Sequence, residues 1–120
     1  MSEFATAAVK PLVPFSALDA LDIRVGTIER VEEVTRSDKL MRLTVNFGDH
    51  SRVILAGIRK ERETPKEIEG KQALFVLNLE PRRMAGEISQ GMLFDLGYAD
   101  GIKPALAVPE WPVPNGTRAG

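Results

Sequence analysis

Between Ile23 and Val34 the apolar side chains alternate, lose step and then alternate again, a pattern that only a strongly curved strand accommodates. The first set is Ile23, Val25 and Thr27; the second starts at Ile28 and runs through Val31 to Val34, with Gly26 just before the change. Side chains on a strand point alternately to opposite faces, so a one-residue slip exchanges the buried and exposed sets. A bulge or coil at Gly26 would let one strand serve both sides of a small barrel.

The segment from Lys39 to Phe47 alternates without a break. Met41, Leu43, Val45 and Phe47 share one face, and Arg42, Thr44 and Asn46 share the other, which is built to be wet. A turn at Gly48-Asp49-His50 leads to a third strand, Ser51 to Ala56, pairing as a meander. Thr64-Pro65-Lys66-Glu67 supplies a cap, a proline at the first helical position and an acid, so a short helix closed by Gly70 is expected. Lys71 to Asn78 is the most apolar strand, Glu87 to Leu96 is another, and Pro104 to Val108 is a last short one. Upstream, Ser16 to Asp19 reads as a helix start with Ser16 as cap, Phe15 packed across it and Leu18 and Leu21 buried. Residues 1–14 read as a flexible leader, 15–120 as one domain, and 109–120 as a proline- and glycine-punctuated tail. Three meandering strands, a short helix and two further strands give a mainly β chain. They match a five-stranded oligonucleotide-binding Greek-key barrel with short helices and terminal extensions, with a small sandwich as the alternative.

Between the two late strands lies Asn78 to Met92, which breaks at Pro81, exposes Arg82 and Arg83, turns at Gly86 and sets Ser89 and Met92 around Gly91. Pro81 cannot donate to a ladder, so the arginines fall on a loop or an edge. Gly91 admits a close backbone or ligand, or marks a bulge.

Chemistry at the side chains narrows the function. The single histidine, His50, sits in a polar turn, and no serine is placed against it, so hydrolysis is not expected. Glu32 and Glu33 are adjacent and point to opposite faces, so no metal site is expected, and no phosphate-cradling glycine loop calls for a cofactor. With no cysteine the chain suits a reducing cytoplasm, and the apolar run Ala73 to Leu77 is far too short to span a membrane. Net charge is −1, yet Arg36 to Arg62 holds seven basic residues against three acids, a locally basic face. Aromatic residues are scarce beside it, with Tyr98 and Trp111 distant in sequence, which favours a folded RNA's backbone over stacked single strands.

Asp22-Ile23-Arg24-Val25-Gly26, Asp38-Lys39-Leu40, Ala56-Gly57-Ile58, Asn78-Leu79-Glu80-Pro81-Arg82 and Ser89-Gln90-Gly91-Met92 together resemble a known family. It is the tRNA-binding domain at the C-terminus of many methionyl-tRNA synthetases and in free-standing homodimeric tRNA-binding proteins. Pro112 to Thr117 is similar to the close of the CsaA-type members, regarded as secretion chaperones. The resemblance runs from Asp22 to Gly120. It implies a non-catalytic barrel that grips tRNA by shape, with Lys39, Arg42, Arg82, Arg83, Ser89 and Met92 at the RNA. Asn46, on the wet face, and Gly91 complete the expected set. A homodimer is expected, its seam formed by the helix from Phe15 to Leu21 with Leu106, Val108 and Trp111, exposed apolar surface of that kind marking a contact. Binding of unfolded preprotein segments is the alternative function.

Overall fold

The computed structural model describes residues 4–120, so the first three residues of the expected leader lie outside the described residues. Residues 4–14 are exposed and in neither helix nor strand.

The sheet is organised around β1 (Ile23–Glu33), which is paired along both edges. Its second half runs antiparallel to β2 (Met41–Asn46), from Thr27 opposite Asn46 to Glu33 opposite Met41. Its first half lies on the other edge against β4 (Gln72–Val76), from Ile23 opposite Val76 to Thr27 opposite Gln72. β3 (Ser51–Ala56) follows β2 in unbroken register. The fourth strand thus returns to lie beside the first, the Greek-key arrangement, in a curled and mainly β molecule as the sequence implies.

The change of phase in β1 is present, but its pivot is Glu29, not Gly26. Ile28 faces Val45 and Arg30 faces Thr44, so Glu29 is the extra residue. Glu29 and Arg30 are both exposed between buried Ile28 and Val31, as an inserted residue requires. Gly26 is needed for another reason: a Cβ there would sit 2.7 Å from both Phe47 Cε1 and Val45 Cγ1. The missing side chain makes room for the core. That core holds the apolar face of β2, with Met41, Leu43, Val45 and Phe47 all buried, and Phe47 meets Phe75 edge-on at 5.5 Å.

The helix calling card at Thr64 produces a 3-10 turn, Pro65–Ile68, whose buried Ile68 joins the core. Directly after it, Glu69 Oε2 accepts the Val31 N–H at 2.8 Å, which holds this connection to the curved half of β1. The first helix, α1 (Phe15–Asp19), departs from expectation. Pro14 is its N-cap, Ser16 lies inside it without capping, and Phe15, Leu18 and Leu21 are exposed, because the five-residue helix stands clear of a barrel already filled by strand residues.

The late strands also differ. Glu87 to Leu96 is not one strand but three pieces: β6 (Glu87–Ser89) pairs with β5 (Arg82–Met84), β7 (Met92–Leu93) with β4, and β8 (Asp95–Leu96) with β9 (Ala105–Leu106). Between β6 and β7 the chain changes partner where Ser89 and Gln90 turn aside to bond β3. The expected tail is likewise built into the sheet. β10 (Arg118–Ala119) pairs with Ile23 and Arg24 of β1, making the main sheet six-stranded, not five. Asn115 Oδ1 accepts from Thr27 Oγ1 at 2.8 Å and Gln72 Nε2 at 2.9 Å, which locks this strap in place.

Candidate nucleic-acid interface

The β5–β6 hairpin begins directly after Pro81, beyond the end of β4 at Val76, and its register sets Arg82 opposite Ser89 and Met84 opposite Glu87. Only Ala85 and Gly86 form the turn, with φ of 51° and 83°. A two-residue turn of this hand suits the twist of the strands but needs positive φ at both positions, which Gly86 accepts and Ala85 adopts under strain. Arg82 and Arg83 are exposed, and no hydrogen bond or ion pair joins either side chain to another described residue. Arg36, from the β1–β2 loop, comes up against the tip, its Nη1 3.0 Å from where a Cβ on Gly86 would stand.

Two attachments fix this hairpin to the barrel. Ser89, buried, accepts the Leu55 N–H at 2.9 Å through Oγ and donates to the Gly91 carbonyl at 3.0 Å. Gln90 N–H donates to the Val53 carbonyl at 2.8 Å, while its Oε1 accepts the Val53 N–H at 2.9 Å. These contacts close the free edge of β3 where no regular ladder does. Ser89 is therefore inside the seam, with its hydroxyl fully engaged by protein. Gly91 is there for backbone approach: a Cβ would lie 2.8 Å from the Val76 carbonyl oxygen. The second attachment is Arg42, whose Nε and Nη2 donate to the two Glu87 carboxylate oxygens, each at 2.7 Å, with Glu32 at 3.5 Å. The bidentate pair holds the guanidinium proton more firmly than usual and lowers the Glu87 carboxyl below its ordinary range.

The basic run thus divides. Arg42 is clamped; Arg52 donates to the Leu77 and Gln90 carbonyls; Arg59 bonds the Ser37 carbonyl and Glu33; Lys60 meets Asp38 and Arg62 meets Glu67. Asn46 on the wet face donates to Glu29 and accepts from the Gly48 N–H. Lys39 and Arg36 remain exposed, with no hydrogen bond or ion pair from their side chains among the described residues. Of the eight expected contacts, Lys39, Arg82, Arg83 and Met92 are at the surface; Arg42 and Asn46 are engaged by acids; Ser89 and Gly91 serve the closure.

Beside the hairpin, β3 and the chain from Met92 to Ala99 diverge into a groove of about 670 Å3. The fold brings Tyr98 to the same groove as Lys39 and Met92, a proximity that sequence distance concealed. Glu61 also lines it. Burial first and Asp95 second push its carboxyl up to about 7. Arg36 and Glu87 were the other residues that sequence reasoning did not single out, since each acquires its place only through the hairpin. On the opposite flank, α1 and the C-terminal residues Arg118 to Gly120 line a second recess of about 780 Å3.

Comparisons with known proteins agree with this geometry. The family model described as "Putative tRNA binding domain" matches residues 23–118. A methionine–tRNA ligase from Methanothrix thermoacetophila is 46% identical over 103 residues, covering 83% of this chain but only 15% of the ligase. Among solved structures, a protein related to methionyl-tRNA synthetase from Pyrococcus horikoshii superposes with a TM-score of 0.84 at 33% identity, over 92% of this chain and all of that one. The chaperone CsaA from Bacillus anthracis gives 0.80 at 30% identity, with the same coverage. The match of motifs, the curled sheet and the family model together show that this chain belongs to the tRNA-binding domain family.

Proposed function

We propose that this chain is a non-catalytic, cytoplasmic protein module that binds folded tRNA by shape and backbone contact. One observation carries the reading. Its open cations lie on the hairpin, Arg82 and Arg83, at its tip, Arg36, and along the neighbouring groove, Lys39, while the other basic residues from Arg42 to Arg62 are held by protein. Phosphate contacts position without reading sequence, so many tRNAs should bind alike. A mobility-shift titration with folded tRNA, unfolded tRNA and single-stranded DNA tests it; equal affinity for all three would remove shape recognition.

The exposed apolar residues Phe15, Leu18 and Leu21, beside the C-terminal strand, support a homodimer through that face, with Val108 and Trp111 exposed at a separate recess beside Lys71 and Gln72. Leu106 packs against the core and is not offered to the seam. Light scattering decides: a mass near the 13.2 kDa of one chain would exclude the dimer. A second reading, binding of unfolded polypeptide, is favoured by the similarity to the CsaA chaperone. Titrating tRNA and an unfolded polypeptide at two salt concentrations separates the two, because only phosphate contacts weaken through counterion release.

A further inference from the structure

Upstream of α1 the chain carries apolar residues that its own barrel leaves bare. Val9 is 94% exposed and Leu12 98%, and they lead directly into the exposed Phe15 of α1. Solvated tails are poor in such residues and rich in charge, yet between Phe4 and Pro14 the only charged side chain is Lys10. The backbone is constrained as well. Pro11 and Pro14 fix their own φ, and Lys10 and Val13, each before a proline, are kept out of the helical region. Pro14 has φ of −67° and ψ of 152°, which is polyproline II geometry. Three residues make one turn of that helix, so Val9 and Leu12 share an edge and Lys10 and Val13 share the next.

Segments of this kind dock on aromatic-lined recesses, and a backbone already extended has little order left to lose. The recess of about 510 Å3 beside Lys71 and Gln72 has that character. Trp111 stands on it at 64% exposure, a ring without an aromatic partner among the described residues, with Val108, Pro109 and Pro112 beside it. Glu110 lines it too and, like Lys10, makes no ion pair among the described residues. The wall is fixed in advance: Gln72 Nε2 donates to the Val113 carbonyl at 2.6 Å, and its Oε1 accepts the Val113 N–H at 3.1 Å. Lys71 and Glu110 balance in charge, which suits an apolar segment with one cation better than a polyanion.

We propose that the arm from Val9 to Pro14 docks in the Trp111 recess of a second copy, and reciprocally, with Lys10 of each copy at Glu110 of the other. In a single chain no described residue of the arm lines that recess. The assignment rests on the homodimer reading and deepens it. The α1 face supplies one contact and the exchanged arms another, so two separate recesses serve one isologous seam.

Trp111 is the only tryptophan, so its emission reports on the recess. The test dilutes the full chain while light scattering follows mass and fluorescence follows Trp111. Emission should move to longer wavelength as the dimer dissociates, and Leu12→Asp should weaken the dimer about tenfold or more. Lys10→Glu and Glu110→Lys should each weaken it about fivefold, because each homodimer then sets like charges together twice. An equimolar mixture of those two variants should regain wild-type affinity, since opposite charges then meet at both sites. All three positions are exposed, and an unchanged far-ultraviolet circular dichroism spectrum checks that each variant is folded. Dimers of wild-type strength in all three variants overturn the exchange and leave the homodimer on α1. Rescue when both charge changes are in one chain, but not in the mixture, places the arm on its own recess and overturns the exchange too. A mass of 13.2 kDa at every concentration overturns the homodimer, and the exchange with it.

Discussion

The outer face of β2 and the β5–β6 hairpin carry the same kind of side chain and use it in opposite ways. On β2, Arg42 is bound by Glu87 and Glu32, and Asn46 by Glu29, so the polar face is neutralised from within. On the hairpin, Arg82 and Arg83 have no such partners among the described residues, and their charge is open to a ligand. The difference lies in what stands opposite each strand: β2 faces acids from β1 and β6, whereas the hairpin projects past the sheet. Charge counted along a chain is therefore not charge available at its surface. Here the clamped arginine secures the platform that presents the open ones.

That contrast can be broken at either end. Ser89→Ala should have the largest effect, costing about 1–3 kcal/mol because the Leu55 N–H loses its buried acceptor. Denaturant melts would show it, and unchanged stability would mean that Gln90 alone closes the seam. The double change Arg82→Ala with Arg83→Ala should leave the melt untouched. It should flatten the slope of log affinity for tRNA against log salt by about 0.7–0.9 per contact, roughly twentyfold in affinity near 0.15 M salt.

Smaller effects test the clamp. Glu87→Gln removes a negative charge from a basic surface yet should weaken tRNA binding, because Arg42 no longer anchors the hairpin. Arg42→Ala should do the same, with less change in salt slope than the hairpin pair. Tighter binding by Glu87→Gln would make the clamp an inhibitor. Across the groove the titration runs the other way. The Glu61 carboxyl titrates near 7 instead of 4.5, so its stability contribution is full below about 4.5 and lost as pH rises through 7. Glu87, lowered by Arg42, contributes above its unfolded pKa and loses that contribution as pH falls. Melts of wild type against Glu61→Gln should therefore diverge between about pH 4.5 and 7, with wild type losing ground as pH rises. The smallest change is Ala85→Gly, which relieves the positive φ of the turn and should add up to about 1 kcal/mol.

What the sequence disclosed followed from local periodicity. The alternation of Met41, Leu43, Val45 and Phe47 placed β2 and its faces, and Pro81 with Gly86 marked the hairpin, because those signals are contained in a few neighbouring residues. What it hid depended on distant partners. β10 has two residues in a proline-rich stretch and exists only because β1 offers a bare edge at Ile23 and Arg24. Gly26 announced a bend that Glu29 makes, since a glycine that admits neighbouring side chains looks the same in sequence as one that kinks a strand. Ser89 was expected at the RNA from the resemblance, since a hydroxyl that closes a seam looks the same in sequence as one that meets phosphate, and Tyr98 read as remote because only the fold brings it to Lys39.

The strand shared by so many partners also sets a timetable. β1 draws its neighbours from residues 41–46, 72–76 and 118–119, so its edge at Ile23 stays bare until the last of these has left the ribosome. The β1–β3 meander can form early from nearby chain, but the strap cannot, and distant pairings are the slow ones in folding. Until then a nascent chain carries an unpaired strand edge, the feature most prone to capture by another chain. Arg118 and Ala119 act as the clasp that ends this exposure.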